Sequence, residues 1–129
     1  MRSARELWDA IYEAVDANDD AALRQLCSDD IEIQTASRLH HGGQKLADLF
    51  AEQRSLHADL QRKVDSVIES ADGLAMSAEL TLSGVPRGTD QRLTWAVVET
   101  IRVEQDRIVS WHAMLDRTWL IQQVKANQR

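Results

Sequence analysis

The chain has 129 residues, of which 43% are hydrophobic and 28% charged, with a formal net charge of −6 and a pI near 5.1. A length of this order leads us to expect one domain over residues 1–129 with a proper core. Nucleic acid is not expected as a partner, because phosphate binding requires a concentrated basic surface. No apolar stretch approaches membrane-spanning length, so no membrane association is expected. The start, Met1-Arg2-Ser3-Ala4-Arg5-Glu6, lacks the apolar core of a signal peptide. Cys27 is the only cysteine, which excludes an internal disulfide and fits a reducing cytoplasm. Its place beside Leu26 in a helical pattern reads as a structural thiol.

Ser3 with Glu6 three residues on forms a capping box, and Leu7, Trp8, Ile11, Ala14 and Val15 then follow helical spacing. Asn18-Asp19-Asp20 stops this helix and caps a short one from Ala21 to about Cys27, which Ser28-Asp29-Asp30 breaks. Ile31 to Thr35 alternates as a strand. A polar loop with His40, His41, Gly42 and Gly43 leads to a third helix marked by Leu46, Leu49 and Phe50. His57 reads as a loop or helix-end residue. Leu60, Val64 and Ile68 mark a strand, and Ala71-Asp72-Gly73 a hairpin turn. Leu74, Met76, Ala78, Leu80 and Leu82 form the next alternating face. Gly84 to Asp90, with the only proline, Pro86, is a further turn. Strands from about Arg92 to Val103 and from Ile108 to Leu115 follow. A short C-terminal helix carries Trp119, Leu120, Ile121 and Val124. Helices come early and hairpin-linked strands late, an α+β pattern with helices on one face of an antiparallel sheet.

Chemistry concentrates at Glu99. In strand period its face reads Leu93, Trp95, Val97, Glu99, Ile101 and Val103, one carboxylate among large apolar side chains. A buried carboxylate is costly unless it is paired, hydrogen-bonded or protonated. The structural alternative is an ion pair with an arginine, for which Arg62 and Arg92 are candidates, or burial at a subunit interface. His40 and His41 are adjacent in a loop without acidic or thiol ligands at metal spacing, so no metal site is expected. Tyr12 falls off the main apolar stripe of its helix and reads as a poor acid.

The segment from Asp106 to Asp116, with Ser110-Trp111-His112-Ala113 inside it, resembles the last-strand motif of the SnoaL-like proteins of the nuclear transport factor 2-like superfamily. Leu7-Trp8-Asp9-Ala10-Ile11-Tyr12, Asn18-Asp19, Leu23, Ser28-Asp29-Asp30-Ile31 and His41-Gly42-Gly43 resemble their opening segments. The resemblance implies a cone-shaped curved antiparallel sheet packed on three N-terminal helices, with an apolar pocket inside. It implies that Trp95, Val97, Glu99 and Ile101 face inward from one strand and Trp111, Ala113 and Leu115 from the next. Ile31, Ile33 and Thr35 would line the pocket from the first strand, and Leu7, Ile11 and Val15 would close it. It also implies a homodimer through the outer sheet face, where Ser110, His112 and Met114 would lie. The hairpin from Val85 to Gln91 is shorter than in many relatives, which leaves the pocket smaller or more open.

In this alignment Glu99 resembles the oxyanion-stabilising acid of the ketosteroid isomerases, an acid kept neutral by an apolar site. Their helix tyrosine would fall near Ile11 and their general base near Gln34 or Thr35, and none of these can serve. The limonene epoxide hydrolase pattern, Trp-Arg-Asp on the last strand, is replaced by Trp111-His112-Ala113. The expected activity is a cofactor-independent cyclase or isomerase acting on a hydrophobic polyketide- or terpenoid-like compound. Glu99 would carry the proton, with His112 and Asp116 as further catalytic candidates, though outward packing and helix capping are their plainer roles. Trp95, Val97, Ile101, Trp111, Ala113, Leu115, Ile33, Thr35 and Ile11 would bind the ligand. The alternative is a non-catalytic ligand-binding or dimeric assembly domain of the same fold.

Overall fold

The computed structural model describes residues 2–36 and 38–115. Its elements in chain order are α1 (Ala4–Asp16), α2 (Asp20–Gln25), β1 (Cys27–Gln34), β2 (Leu39–His41), α3 (Gly43–Leu56), β3 (His57–Glu69), β4 (Ala75–Pro86), β5 (Leu93–Glu104) and β6 (Arg107–Leu115). The expected terminal helix with Trp119, Leu120, Ile121 and Val124, and the candidate Asp116, lie outside the described residues.

The helix starts follow from local chemistry. The Ser3 hydroxyl accepts the Glu6 amide while the Glu6 carboxylate accepts the Ser3 amide, each at 3.1 Å. Asp19 caps α2 by accepting the Ala22 amide at 3.0 Å. These bonds satisfy amides that a helix start leaves without intrahelical partners. Along α1 the buried residues are Ala4, Leu7, Trp8, Ile11, Tyr12 and Ala14. The buried stripe is therefore two rows wide, and Tyr12 stands one turn beyond Trp8 within it.

The six strands form one open sheet in the order β2-β1-β6-β5-β4-β3. Consecutive strands from β3 to β6 pair antiparallel, as hairpins require. β1 and β6 instead run parallel, so the sheet is mixed rather than wholly antiparallel. The chain from β1 to β6 passes through α3 and the β3–β5 meander, long enough to return β6 in the same direction. The β5–β6 hairpin turns at Gln105 and Asp106, both with positive φ (51° and 64°), the conformation that matches the strands' twist.

Several elements depart from the sequence reading: β3 already begins at His57, and β4 runs on through Gly84 to Pro86, where a turn was expected. β1 begins at Cys27, not Ile31, and runs through Ser28-Asp29-Asp30. Cys27 pairs with Ile108, and the register then slips before Glu32 meets Ser110. The bulge turns Asp29 and Asp30 to solvent, so polar residues read as a breaker are tolerated in a strand. The loop at His40 and His41 contains a three-residue strand held by backbone pairing of Ile33 with His40 and Glu32 with His41.

The sheet is curved. α3 contacts both β1 and β3, which lie four places apart in the sheet order. With 14 residues, about 21 Å, α3 is long enough to reach across the intervening strands, and its end runs directly into β3. α1 meanwhile packs on β4, β5 and β6. The main core gathers α1, α2, β1 and the lower inner face of the sheet, with Leu7, Ile11, Ile31, Ile101 and Ile108 fully buried. A second cluster, Leu82, Trp95 and Val97, lies further along the inner face with Leu60, Leu93, Ala113 and Leu115 packed against it. No described helix is long and apolar enough to cross a membrane.

Candidate functional site

A cavity of about 390 Å³ lies beside the second cluster. Its sheet side comes from alternate inward positions: Trp95, Val97 and Glu99 on β5, Trp111, Ala113 and Leu115 on β6, and Leu82 on β4. Ile33 on β1 and the following Thr35 and Ala36 form one wall, while Leu46, Leu49, Phe50 and Gln53 of α3 form another. Tyr12 closes the floor from α1.

Glu99 is only 5% exposed, and among the described residues its charge is met by hydrogen bonds rather than by a direct ion pair. Trp8 donates its indole N–H to Oε1 at 3.0 Å. The Tyr12 hydroxyl lies 2.7 Å from Oε1 and 2.7 Å from Oε2. One hydroxyl carries one proton, so it satisfies one of these oxygens at a time. Trp8 and Tyr12 reach the same carboxylate because they are four residues apart on α1, with rings in edge contact at 5.1 Å. Phe50 and Trp111 brace the phenol, with ring centroids 5.5 Å and 6.2 Å from that of Tyr12.

Neither arginine named above pairs with Glu99 directly. Arg92 pairs with Asp59. Arg62 reaches from β3 to lay its guanidinium 3.8 Å from the Tyr12 ring centroid and to pair with Asp16 at 3.3 Å. It acts on the site as a nearby charge behind the phenol ring.

Burial pushes the Glu99 carboxyl up to about 6, against the opposing pull of the Tyr12 and Trp8 hydrogen bonds and the Arg62 charge. Tyr12 is raised well above the ordinary phenol value, first by burial and then by the adjoining carboxylate. The pair therefore exchanges its proton through Glu99 while Tyr12 keeps its own hydrogen. With Glu99 ionised, Tyr12 donates to it. With Glu99 protonated, the acid can donate to the Tyr12 oxygen, and the phenol O–H is released to another acceptor.

Of the sequence candidates, Glu99, Trp95, Val97, Trp111, Ala113, Leu115, Ile33 and Thr35 line the cavity together. Ile11 and Ile101 are fully buried in the main core and do not line it. His112 pairs with Thr100 across β5 and points away from the Trp111 face. Its Nε2 stands 3.9 Å from Glu32 Oε2, beyond hydrogen-bond reach. Tyr12, Trp8 and the α3 wall were not singled out for the site from sequence. The signal was the Trp8–Tyr12 spacing of one helical turn, hidden because the apolar stripe was drawn through Leu7, Trp8, Ile11, Ala14 and Val15 and left Tyr12 off it.

A curved sheet wrapped over helices, enclosing a cavity walled by alternate strand residues, is the nuclear transport factor 2-like fold. The chain belongs to the SnoaL-like family: the SnoaL-like domain matches residues 8–111. Among solved structures, a nuclear transport factor 2-like protein from Burkholderia thailandensis E264 is 22% identical, with a TM-score of 0.78 over 95% of this chain and 97% of its own. A candidate polyketide cyclase from Xanthomonas campestris pv. campestris is 18% identical, with a TM-score of 0.74 over 92% of this chain and 95% of its own. An epoxide hydrolase of the limonene epoxide hydrolase-like type from Mycobacterium tuberculosis is 19% identical, with a TM-score of 0.70 over 91% and 85%. At these identities the likeness is one of fold. No curated protein matches the chain.

Proposed function

We propose that this protein is a cyclase or isomerase of a hydrophobic polyketide- or terpenoid-like compound, using the Tyr12–Glu99 pair to move one proton. The observation that carries the reading is a carboxyl raised to about 6, hydrogen-bonded to a phenol, at the floor of a mostly apolar cavity. A base is most effective when its pKa lies near the working pH, and this acid has been brought there by burial. Ionised Glu99 takes a proton from carbon next to a ligand carbonyl. The Tyr12 hydroxyl donates to the oxygen where charge develops, and the protonated acid returns the proton at the new position. Trp95 and Trp111 supply flat walls for a ring system.

The test is hydrogen–deuterium exchange of 2-tetralone in D₂O followed by NMR. We expect the wild-type protein to accelerate exchange next to the carbonyl, with a loss of about 100-fold or more in Glu99→Gln. Binding of 2-tetralone without accelerated exchange would replace this reading with a ligand-binding role for the same cavity.

The proposal extends to assembly and location. Ile68, Val98 and Met114 are 70%, 39% and 47% exposed on strands whose alternate residues face the core. A homodimer through this outer face would cover them. Cys27 is buried with a free thiol, which suits the cytoplasm.

A further inference from the structure

A second recess of about 290 Å³ opens next to the cavity. Leu49, Gln53, Trp95 and Leu115 border both volumes, while Glu52, Leu56, His57 and Leu93 face the recess alone. The recess has its own fixed polar geometry. His57 leaves α3 and opens β3, and its Nδ1 lies 3.1 Å from the Gln53 carbonyl oxygen. A carbonyl only accepts, so Nδ1 carries a proton and the neutral ring keeps a lone pair on Nε2. The imidazole lies against Trp95, with centroids 4.9 Å apart and planes 36° from parallel. Gly84 makes room for it, since a Cβ there would stand 3.0 Å from that of His57. The half-buried Gln53 side chain makes no hydrogen bond among the described residues, although it borders both volumes.

We propose that the cavity and the recess are two chambers of one ligand site, occupied by an elongated molecule. Its reacting ring lies on Tyr12 and Glu99. A second ring bearing a hydrogen-bonding group lies in the recess along Trp95, met by Gln53 and His57. This rests on the reading of the cavity as a small-molecule site and adds the class of molecule. The cavity alone sits near the bottom of the roughly 300–1,000 Å³ usual for such sites, and the recess extends it toward the middle. A site built to hydrogen-bond a group discriminates strongly against analogues that lack it, which gives Gln53 and His57 a specificity role.

The experiment compares dissociation constants of 2-naphthol and 6-(4-hydroxyphenyl)-2-naphthol by fluorescence titration. For the wild-type protein the longer probe should bind about tenfold tighter or more, the effect of burying a further ring. Leu93→Trp fills the recess and should bring the longer probe within about threefold of the shorter, with 2-naphthol unchanged. Leu56→Trp should do the same from the lip, where Leu56 is 55% exposed and a larger side chain does not disturb the core. Equal affinities in the wild type, or an advantage that survives both substitutions, overturns the two-chamber site while leaving the inner cavity standing. If neither probe binds the wild-type protein, the small-molecule reading fails and the two-chamber site fails with it.

Discussion

Replacing Glu99 with glutamine should change how stability depends on pH, and the size of the change follows from the structure. The carboxyl has an ordinary value of 4.5 and is raised to about 6 in the folded protein. Between those values the folded state holds more protons than the unfolded state, so this group's contribution to stability falls as pH rises. The displacement of about 1.5 units corresponds to about 2 kcal/mol, present in full below pH 4.5 and lost above pH 6. Glutamine keeps the side-chain shape and cannot titrate. Urea unfolding of wild type and Glu99→Gln at pH 4 and at pH 7 isolates the effect, since all other groups are common to both. The wild-type advantage over the variant should shrink by about 2 kcal/mol from pH 4 to pH 7. A pH-independent difference would show that Glu99 titrates at its ordinary value. A difference that grows with pH would show a carboxylate held in an ion pair, and either result refutes the reasoning.

Two further substitutions act on the same group from different sides. Tyr12→Phe removes a donor to a buried carboxylate and should cost about 1–3 kcal/mol at pH 7 by urea unfolding, with a smaller loss at pH 4. Because the lost bond favours the charged form, the pH window of the Glu99 effect should also move upward. Arg62→Met removes a positive charge that lowers Glu99, so the midpoint should rise by less than about one unit in a carboxyl NMR titration, with the fold retained. No movement would show that solvent or Asp16 already cancels the guanidinium.

The Glu99 face was legible in sequence because strand period is simple. Leu93, Trp95, Val97, Ile101 and Val103 alternate without interruption, so the single carboxylate among them had to face inward. Its partners were not legible from the same pattern. A helix buries a stripe wide enough for two rows, and drawing it through Leu7, Trp8, Ile11, Ala14 and Val15 left Tyr12 at the margin, although it is buried. The carboxylate itself resolves the ambiguity, because it draws the polar tips of Trp8 and Tyr12 to the same point. The cavity wall on α3 was only partly visible: Leu46, Leu49 and Phe50 marked the helix, but nothing local showed that sheet curvature would bring them opposite Trp95 and Trp111. β2 escaped notice because its three residues pair through the backbone alone, and the start of β1 because a bulge carries its aspartates outward.

The most direct measurement is a carbon-13 NMR titration of the Glu99 carboxyl in selectively labelled protein, with and without 2-naphthol. The account predicts a midpoint near 6 in the free protein and a displaced midpoint when the probe occupies the cavity beside Tyr12. A midpoint at the ordinary value of 4.5 that ignores the probe would contradict it.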